Sequence, residues 1–317
     1  MDAVSRDGAP RAGGARAHVR IDRTVAAVPD ALRGKRDGGL FDDVPTPLFL
    51  IDGGNLLWRA AHSHPAPFPA ADGRDLTPLF RFITKLRQAV GTYGVFAECI
   101  VCFDGADAWA GRLEVDATYK GNRDYEAKDL SFMGWLPEIR AALDCAGVAN
   151  VEVSDSEADD VIATFTATAG RLPLPRPVRI LSTDRDYFQL ISSTTSVVNP
   201  KARPALVDAA VVEKQYGVTP AQWCDVRALA GDPSDGIPGV PNVGMQRAAA
   251  LLRHGRTLDD LRDVEPVARH WDDVLRWREL VRLRTDVAIG FEPTSIATPR
   301  LPSPSAICAE LGLVPAR

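Results

Sequence analysis

Three apolar runs with strand character each end on an aspartate, and this pattern limits the fold more than any other feature of the chain. Leu48-Phe49-Leu50-Ile51 precedes Asp52, Cys99-Ile100-Val101-Cys102-Phe103 precedes Asp104, and Val178-Arg179-Ile180-Leu181-Ser182-Thr183 precedes Asp184. Helical patterns separate the runs, and strand–helix alternation of this kind builds a parallel sheet. In such a sheet the carboxyl ends of the strands share one edge, where ligands bind. Asp52, Asp104 and Asp184 are therefore expected to converge from distant parts of the sequence. Glu157, Asp159, Asp160, Asp186, Asp232 and Asp235 belong to the same expectation. So many like charges do not stay ionised together unless cations neutralise them. Hard divalent ions such as Mg²⁺ take oxygen ligands and suit a carboxylate-rich cleft. Metal-dependent chemistry on a phosphate is the first expectation.

Residues 1–43 read as a disordered tail, rich in Gly, Ala, Arg and Asp with little to bury. Residues 44–207 read as the α/β catalytic domain. Within it, a helix runs through Leu56, Leu57 and Ala60, and Thr77-Pro78 opens another, with Thr77 as its cap, to about Tyr93. Residues 105–133 break the pattern with mixed charge and aromatics, among them Trp109, Arg112, Tyr119 and Lys120. Helix resumes at Trp135 to Ala146, and a short strand covers Val151 to Val153. Asp155-Ser156 is placed to cap the helix that carries Glu157, Asp159 and Asp160. On that helix Glu157 and Asp160 share a face, with Asp159 rotated to one side. Residues 208–317 read as helical: Ala209 to Tyr216, Pro220 to Leu229, Val243 to Arg253 and Pro266 to Val287.

Composition excludes few classes. The 317 residues suffice for one large or two modest domains. No apolar stretch is long enough for a membrane span, and the N-terminus lacks the apolar core of a secretory signal. Five scattered cysteines point to a reducing cytoplasm. Cys99 and Cys102 have zinc-like spacing but no second pair nearby, so buried thiols are the expectation. The net charge of −5 is unusual for a DNA-binding protein, but the acidic cleft accounts for much of it.

Gly231 to Ala248 joins two helices through a loop dense in glycine and proline. The loop from Gly239 to Gly244 is expected to turn backbone N–H groups outward where a helix starts, with Arg247 in its first turn. Free amides and the helix dipole favour phosphate there without base preference.

The blocks Leu50-Ile51-Asp52-Gly53-Gly54-Asn55-Leu56, Tyr119-Lys120-Gly121-Asn122-Arg123-Asp124, Glu157-Ala158-Asp159-Asp160 with Ser182-Thr183-Asp184-Arg185-Asp186, and Gly231-Asp232-Pro233-Ser234-Asp235-Gly236-Ile237-Pro238-Gly239-Val240 stand in one order. Together they resemble the 5′-nuclease, or flap endonuclease, superfamily, which includes stand-alone bacteriophage enzymes and the N-terminal domain of bacterial DNA polymerase I. No polymerase region follows Arg317, which fits a free-standing nuclease, phage or cellular. The resemblance implies a PIN-like, mostly parallel sheet flanked by helices, a helical arch over the site, and a C-terminal helix-three-turn-helix.

It also implies roles. Asp52, Asp104, Glu157, Asp159 and Asp160 would form a tighter metal site, Asp184 and Asp186 would lie between two sites, and Asp232 and Asp235 would complete the second. Mg²⁺ or Mn²⁺ would act as a pair in phosphodiester hydrolysis, leaving a 5′-phosphate and a 3′-hydroxyl. Lys120 and Arg123 fall in the arch and would contact the scissile phosphate, with Tyr119 stacking on a base. Arg59 and Arg227 would meet phosphates; Arg112 is a weaker candidate. Gly239, Val240, Val243, Gly244, Gln246 and Arg247 would grip duplex DNA, often with a K⁺ ion.

Two departures bear on that grip: Gly236 stands where relatives commonly carry asparagine, and Gln246 where they carry lysine. The implied substrates are branched or nicked DNA with 5′ flaps, and RNA–DNA hybrids, cut by a cytoplasmic monomer. Two other readings stay open: a PIN-like ribonuclease, and a protein that binds DNA junctions without cutting.

Overall fold

The computed structural model describes residues 45–63, 68–121, 131–290, 293, 298 and 301–313. Strands β1 (Leu48–Asp52), β2 (Glu98–Asp104), β3 (Ala149–Val153) and β4 (Val178–Leu181) pair in parallel, as does β5 (Thr195–Val198) with β4. The short β6 (Leu206–Val207) closes one edge antiparallel to β5. The order is β3-β2-β1-β4-β5-β6, so β1 lies inside the sheet and every one of its residues is buried. A central parallel strand covered on both faces is apolar along its length, which explains Leu48 to Ile51; the acid Asp52 comes only at its carboxyl end.

Alternation along β1 divides the core. Leu48 and Leu50 face one layer with Val161, Ile162 and Phe165 of α5 (Ala158–Arg171). Phe49 and Ile51 face the other, with Leu56 and Leu57 of α1 (Gly53–Ala61) and Phe82 and Leu86 of α2 (Thr77–Tyr93). Helices α3 (Ala110–Val115) and α4 (Leu136–Cys145) follow β2, α4 lying on the second layer.

The C-terminal helices share the first core layer and do not build one of their own. These are α6 (Ala209–Tyr216), α7 (Trp223–Ala230), α8 (Met245–Leu251) and α9 (Trp271–Val281). Fully buried Trp223 packs its ring edge-on to Phe188 and Tyr216, 4.9 and 5.0 Å between centroids. After α9 the chain returns to the second layer, where α10 (Pro304–Glu310) packs on α2 and α4. No helix among the described residues is long and apolar enough to cross a membrane.

Several local expectations fail for reasons visible in the hydrogen bonds. Thr77 is not a cap: its hydroxyl accepts from Phe68 N (2.7 Å), and Leu76 holds the cap position with no side-chain bond. Asp155-Ser156 does not cap α5. Glu157 takes the cap backbone, and the carboxylate of Asp104 accepts from Ala158 N at 2.8 Å. Helix α9 stops at Val281 and not at Val287: Leu283 N and Arg284 N bond to the side chains of Gln189 and Asp160. Sequence periodicity cannot register partners that come from a hundred residues away.

Candidate metal centre

The acids gather at the carboxyl edge of the sheet. Asp52 ends β1 and caps α1; one carboxylate oxygen accepts from Asn55 N and the other from Ser182 Oγ, both at 2.9 Å. Burial pushes Asp52 up to about 7 against these hydrogen bonds, and the charges of Asp104 and Asp184 add to the rise. Asp159 is raised well above the usual carboxylate range by burial, then by the charges of Asp52, Asp184, Glu157 and Asp104. It also accepts a short hydrogen bond from the Tyr187 hydroxyl. Asp52, Asp104, Asp159 and Asp184 thus form one mutually repelling group.

A second group is more compact. Carboxylate oxygens of Asp186, Asp232 and Asp235 lie within 4.8 Å of one another, close enough to surround one ion. Burial raises Asp186 to about 7, with Asp184 and Asp235 adding to the rise and Arg227 opposing it. Asp184 therefore acts on both groups, and its carboxylate accepts from Asp186 N at 2.9 Å. Arg227 of α7 pairs with Asp186 at 3.2 Å and closely with Asp232.

The loop that presents Asp232 and Asp235 is drawn tight at its base. Asp232 and Ile237 exchange backbone hydrogen bonds of 2.8 and 2.9 Å, while Ser234 donates through N (2.9 Å) and Oγ (2.5 Å) to the Asp232 carboxylate. Gly231 and Gly239 have φ of +79° and +70° and pass so close that a Cβ on Gly239 would lie 2.4 Å from Gly231 N. Only glycine tolerates both the backbone angle and the approach.

Glu157 and Asp160 share a face of α5 that meets a cluster of cations, while the charge of Glu157 still adds to the rise of Asp159. Both oxygens of Asp160, 1% exposed, are taken by the Arg112 guanidinium (2.8 and 2.9 Å), and Arg284 N donates at 2.9 Å. Asp160 is thus an internal anion, and the rotated Asp159 is the residue that α5 delivers to the acids. Glu157 forms an ion pair with Arg112 at 2.6 Å, accepts from the Tyr119 hydroxyl at 3.2 Å, and pairs closely with Lys120.

Tyr119 is 5% exposed, so its ring is not free to stack on a base as expected. Its neighbour Lys120 is buried as well, 8% exposed and paired closely with Glu157, with its ammonium 4.9 Å from the Tyr119 ring centre and 5.5 Å from that of Trp109. Lys120 N donates to the Asp235 carbonyl at 2.9 Å, which ties this segment to the second group. Arg123 lies outside the described residues. Arg59 is half-buried on α1, and burial lowers its guanidinium pKa while the charge of Asp52 opposes the fall.

The loop before α8 also differs from expectation. Val240 and Val243 are buried, and their amides donate inward, to the Leu229 and Val240 carbonyls (2.9 Å each). Gly239 is buried in the Gly231 crossing. Gly244, Gln246 and Arg247 remain on the surface at the start of α8. Asn55 and Ser182, which the sequence blocks contain but to which no role was given, support Asp52 and its surroundings, while Gln189 and Arg284 lie outside those blocks.

Fold and acids together define a class: a carboxylate-lined α/β protein suited to divalent-metal chemistry on phosphodiesters. Residues 47–217 match the model of the 5′-3′ exonuclease N-terminal resolvase-like domain, and residues 218–302 that of the 5′-3′ exonuclease C-terminal SAM fold. A 5′-3′ exonuclease of Streptomyces coelicolor is 34% identical over 64% of this chain and 70% of its own length. Thermostable DNA polymerase I of Thermus filiformis is 32% identical over 86% of this chain. The chain spans 33% of that polymerase's length. Among solved structures, bacteriophage T5 5′-exonuclease with bound zinc superposes with a TM-score of 0.61 at 23% identity, covering 75% of this chain and 90% of that one. Human GEN1 in complex with Holliday junction DNA superposes at 0.53 and 13% identity, covering 84% of this chain and 68% of that one. The chain belongs to the 5′-3′ exonuclease family.

Proposed function

We propose that the protein is a structure-selective 5′-nuclease that cuts 5′ flaps near the junction with duplex DNA and removes nucleotides from 5′ ends. The observation that carries this reading is the pair of acid groups joined through Asp184 at the sheet edge, the second with its oxygens within 4.8 Å. Bound metal in T5 5′-exonuclease and bound junction DNA in GEN1 are consistent with it.

The donor set is all oxygen, and burial with neighbouring charge raises Asp52, Asp159 and Asp186 within it, which fits Mg²⁺ or Mn²⁺. Asp52, Asp104, Asp159 and Asp184 would hold one ion, and Asp186, Asp232 and Asp235 the other. Two ions so placed supply activation of the attacking water and stabilisation of the leaving oxygen. The chain's own cations do the rest. Lys120, held beside the acids by Glu157 and two rings, would donate to a non-bridging oxygen of the scissile phosphate. Arg227 neutralises Asp186 and Asp232 in the free protein and would turn to phosphate when other cations take over that task. Duplex would lie on the start of α8 around Gly244, Gln246 and Arg247, with a K⁺ ion at that turn. RNA paired to DNA is a substrate in this reading, and the enzyme works as a cytoplasmic monomer.

A labelled 5′-flap duplex with Mg²⁺, beside Asp184→Asn and EDTA controls, tests the proposal. Cleavage near the junction by wild type alone is expected. Binding without cutting under Mg²⁺ or Mn²⁺, or cleavage confined to RNA, would overturn it.

A further inference from the structure

We infer that Gln189 is a positioning residue that sets Asp186, and through it the second acid group, from the helical half of the molecule. The inference rests on the two-ion reading above. Gln189 lies on the 3₁₀ turn Asp186–Leu190, and its side-chain amide has no bonding capacity left over. Nε2 donates to the Asp186 carbonyl at 2.8 Å and to the Val281 carbonyl at 3.0 Å. Oε1 accepts from Leu283 N at 3.0 Å and from the Cys224 thiol at 3.1 Å. Two carbonyls on one side and two donors on the other fix which amide atom is which, because a flipped amide would oppose like to like.

The four partners belong to three elements: the turn itself, α7 through Cys224, and the exit of α9 through Val281 and Leu283. One turn beyond Cys224 on α7, Arg227 reaches the Asp186 carboxylate. One residue beyond Leu283, Arg284 N reaches Asp160 on the acid-bearing α5. Gln189 therefore holds the main chain of Asp186 to the same two helices whose other residues touch the acids. Any shift of α9, or of α7, which packs on the α8 of the proposed duplex surface, is passed to Asp186 through one rigid side chain. Groups that orient a ligand residue change metal affinity when removed, by about 10–100-fold. A residue that merely supports packing changes stability and leaves that affinity alone.

Gln189→Glu preserves shape and the acceptor side but sets oxygen against the carbonyls of Asp186 and Val281. Gln189→Met preserves length without that repulsion and serves if the first variant folds poorly. Titration calorimetry of the full chain with Mn²⁺ is expected to show two binding classes in wild type. In either variant one class weakens about tenfold, and the Mn²⁺ midpoint for flap cleavage moves by the same factor. Cys224→Ser keeps a donor to Oε1 and should match wild type. Wild-type Mn²⁺ affinity in a folded Gln189 variant, even with a lower melting temperature, would overturn the inference while leaving the nuclease reading intact. Wild type that neither binds Mn²⁺ nor cleaves would remove the two-ion reading and this inference with it.

Discussion

Replacing Arg112 by methionine separates a structural arginine from a substrate-binding one. Arg112 is 9% exposed and its guanidinium is held inside the protein by both oxygens of Asp160, by an ion pair with Glu157, and through Nε by the Leu280 carbonyl at 3.1 Å. Removing it leaves Asp160, 1% exposed, as a buried anion. Breaking a buried pair from one side costs about 3–5 kcal/mol. Arg284 still donates to Asp160 through N at 2.9 Å and approaches it through Nε at 3.4 Å, which places the expected cost near the lower end. A loss of about 3 kcal/mol corresponds to a melting temperature lower by about 6–12 °C for a domain of this size. Urea and thermal unfolding followed by circular dichroism in EDTA measure it. Arg112→Met combined with Asp160→Ala should cost at least about 1 kcal/mol less than the sum of the single changes, because the pair is removed together. Unfolding of Arg112→Met within about 0.5 kcal/mol of wild type, with flap affinity sharply reduced, would refute the argument and make Arg112 a substrate contact.

The centre yields three further predictions. Asp52 and Asp186 lie at about 7 in the folded protein against an ordinary value of 3.8, so the folded state retains protons that the unfolded chain releases. Stability of the metal-free protein should therefore fall as pH rises from about 4 to about 7 and level off above, the reverse of a salt-bridged carboxylate. Added Mn²⁺ should cancel the fall, and a urea midpoint independent of pH in EDTA would contradict the burial argument. Asp184→Asn should reduce cleavage at least about a hundredfold yet unfold no more easily than wild type in EDTA, since one repelling charge is gone. Gly239→Ala forces a side chain into a φ of +70° and against Gly231 N. It should cost at least about 2 kcal/mol and weaken one Mn²⁺ class in calorimetry; wild-type melting would show that the loop can give way.

How legible the centre was depends on how far each determinant lies along the chain. Asp52, Asp104 and Asp184 were visible because a strand announces itself over four to six consecutive residues, and parallel pairing fixes which end is the shared edge. Asp232 and Asp235 were visible through the glycines that their loop cannot do without. The division of labour on α5 was not. Helical spacing correctly put Glu157 and Asp160 on one face, but spacing cannot say what that face meets. Arg112 and Arg284 meet it, 48 and 124 residues from Asp160. Burial of Tyr119 and the inward amides of Val240 and Val243 are likewise outcomes of packing between segments.

Counter-charges were the hardest part to read, and a physical asymmetry explains why. Several carboxylates brought to one edge repel, so each lowers the stability of the fold unless a cation is supplied. In the two-ion reading proposed above, an exogenous ion would meet that need at Asp52, Asp104, Asp159 and Asp184, and at Asp186, Asp232 and Asp235. Arginine meets it permanently where the anion is sealed from solvent, as at Asp160. Exposure and partners, not residue type, decide between the two, and Glu157 falls between them. It is buried and paired with Arg112, yet its other cation, Lys120, sits on the segment whose backbone is tied to Asp235. Lys120 and Arg227 stand between these two modes, Lys120 paired with Glu157 and Arg227 with Asp186 and Asp232. Acids can be read from a sequence by their neighbours in the chain; whether each one is kept for a metal is decided by cations that fold in from elsewhere.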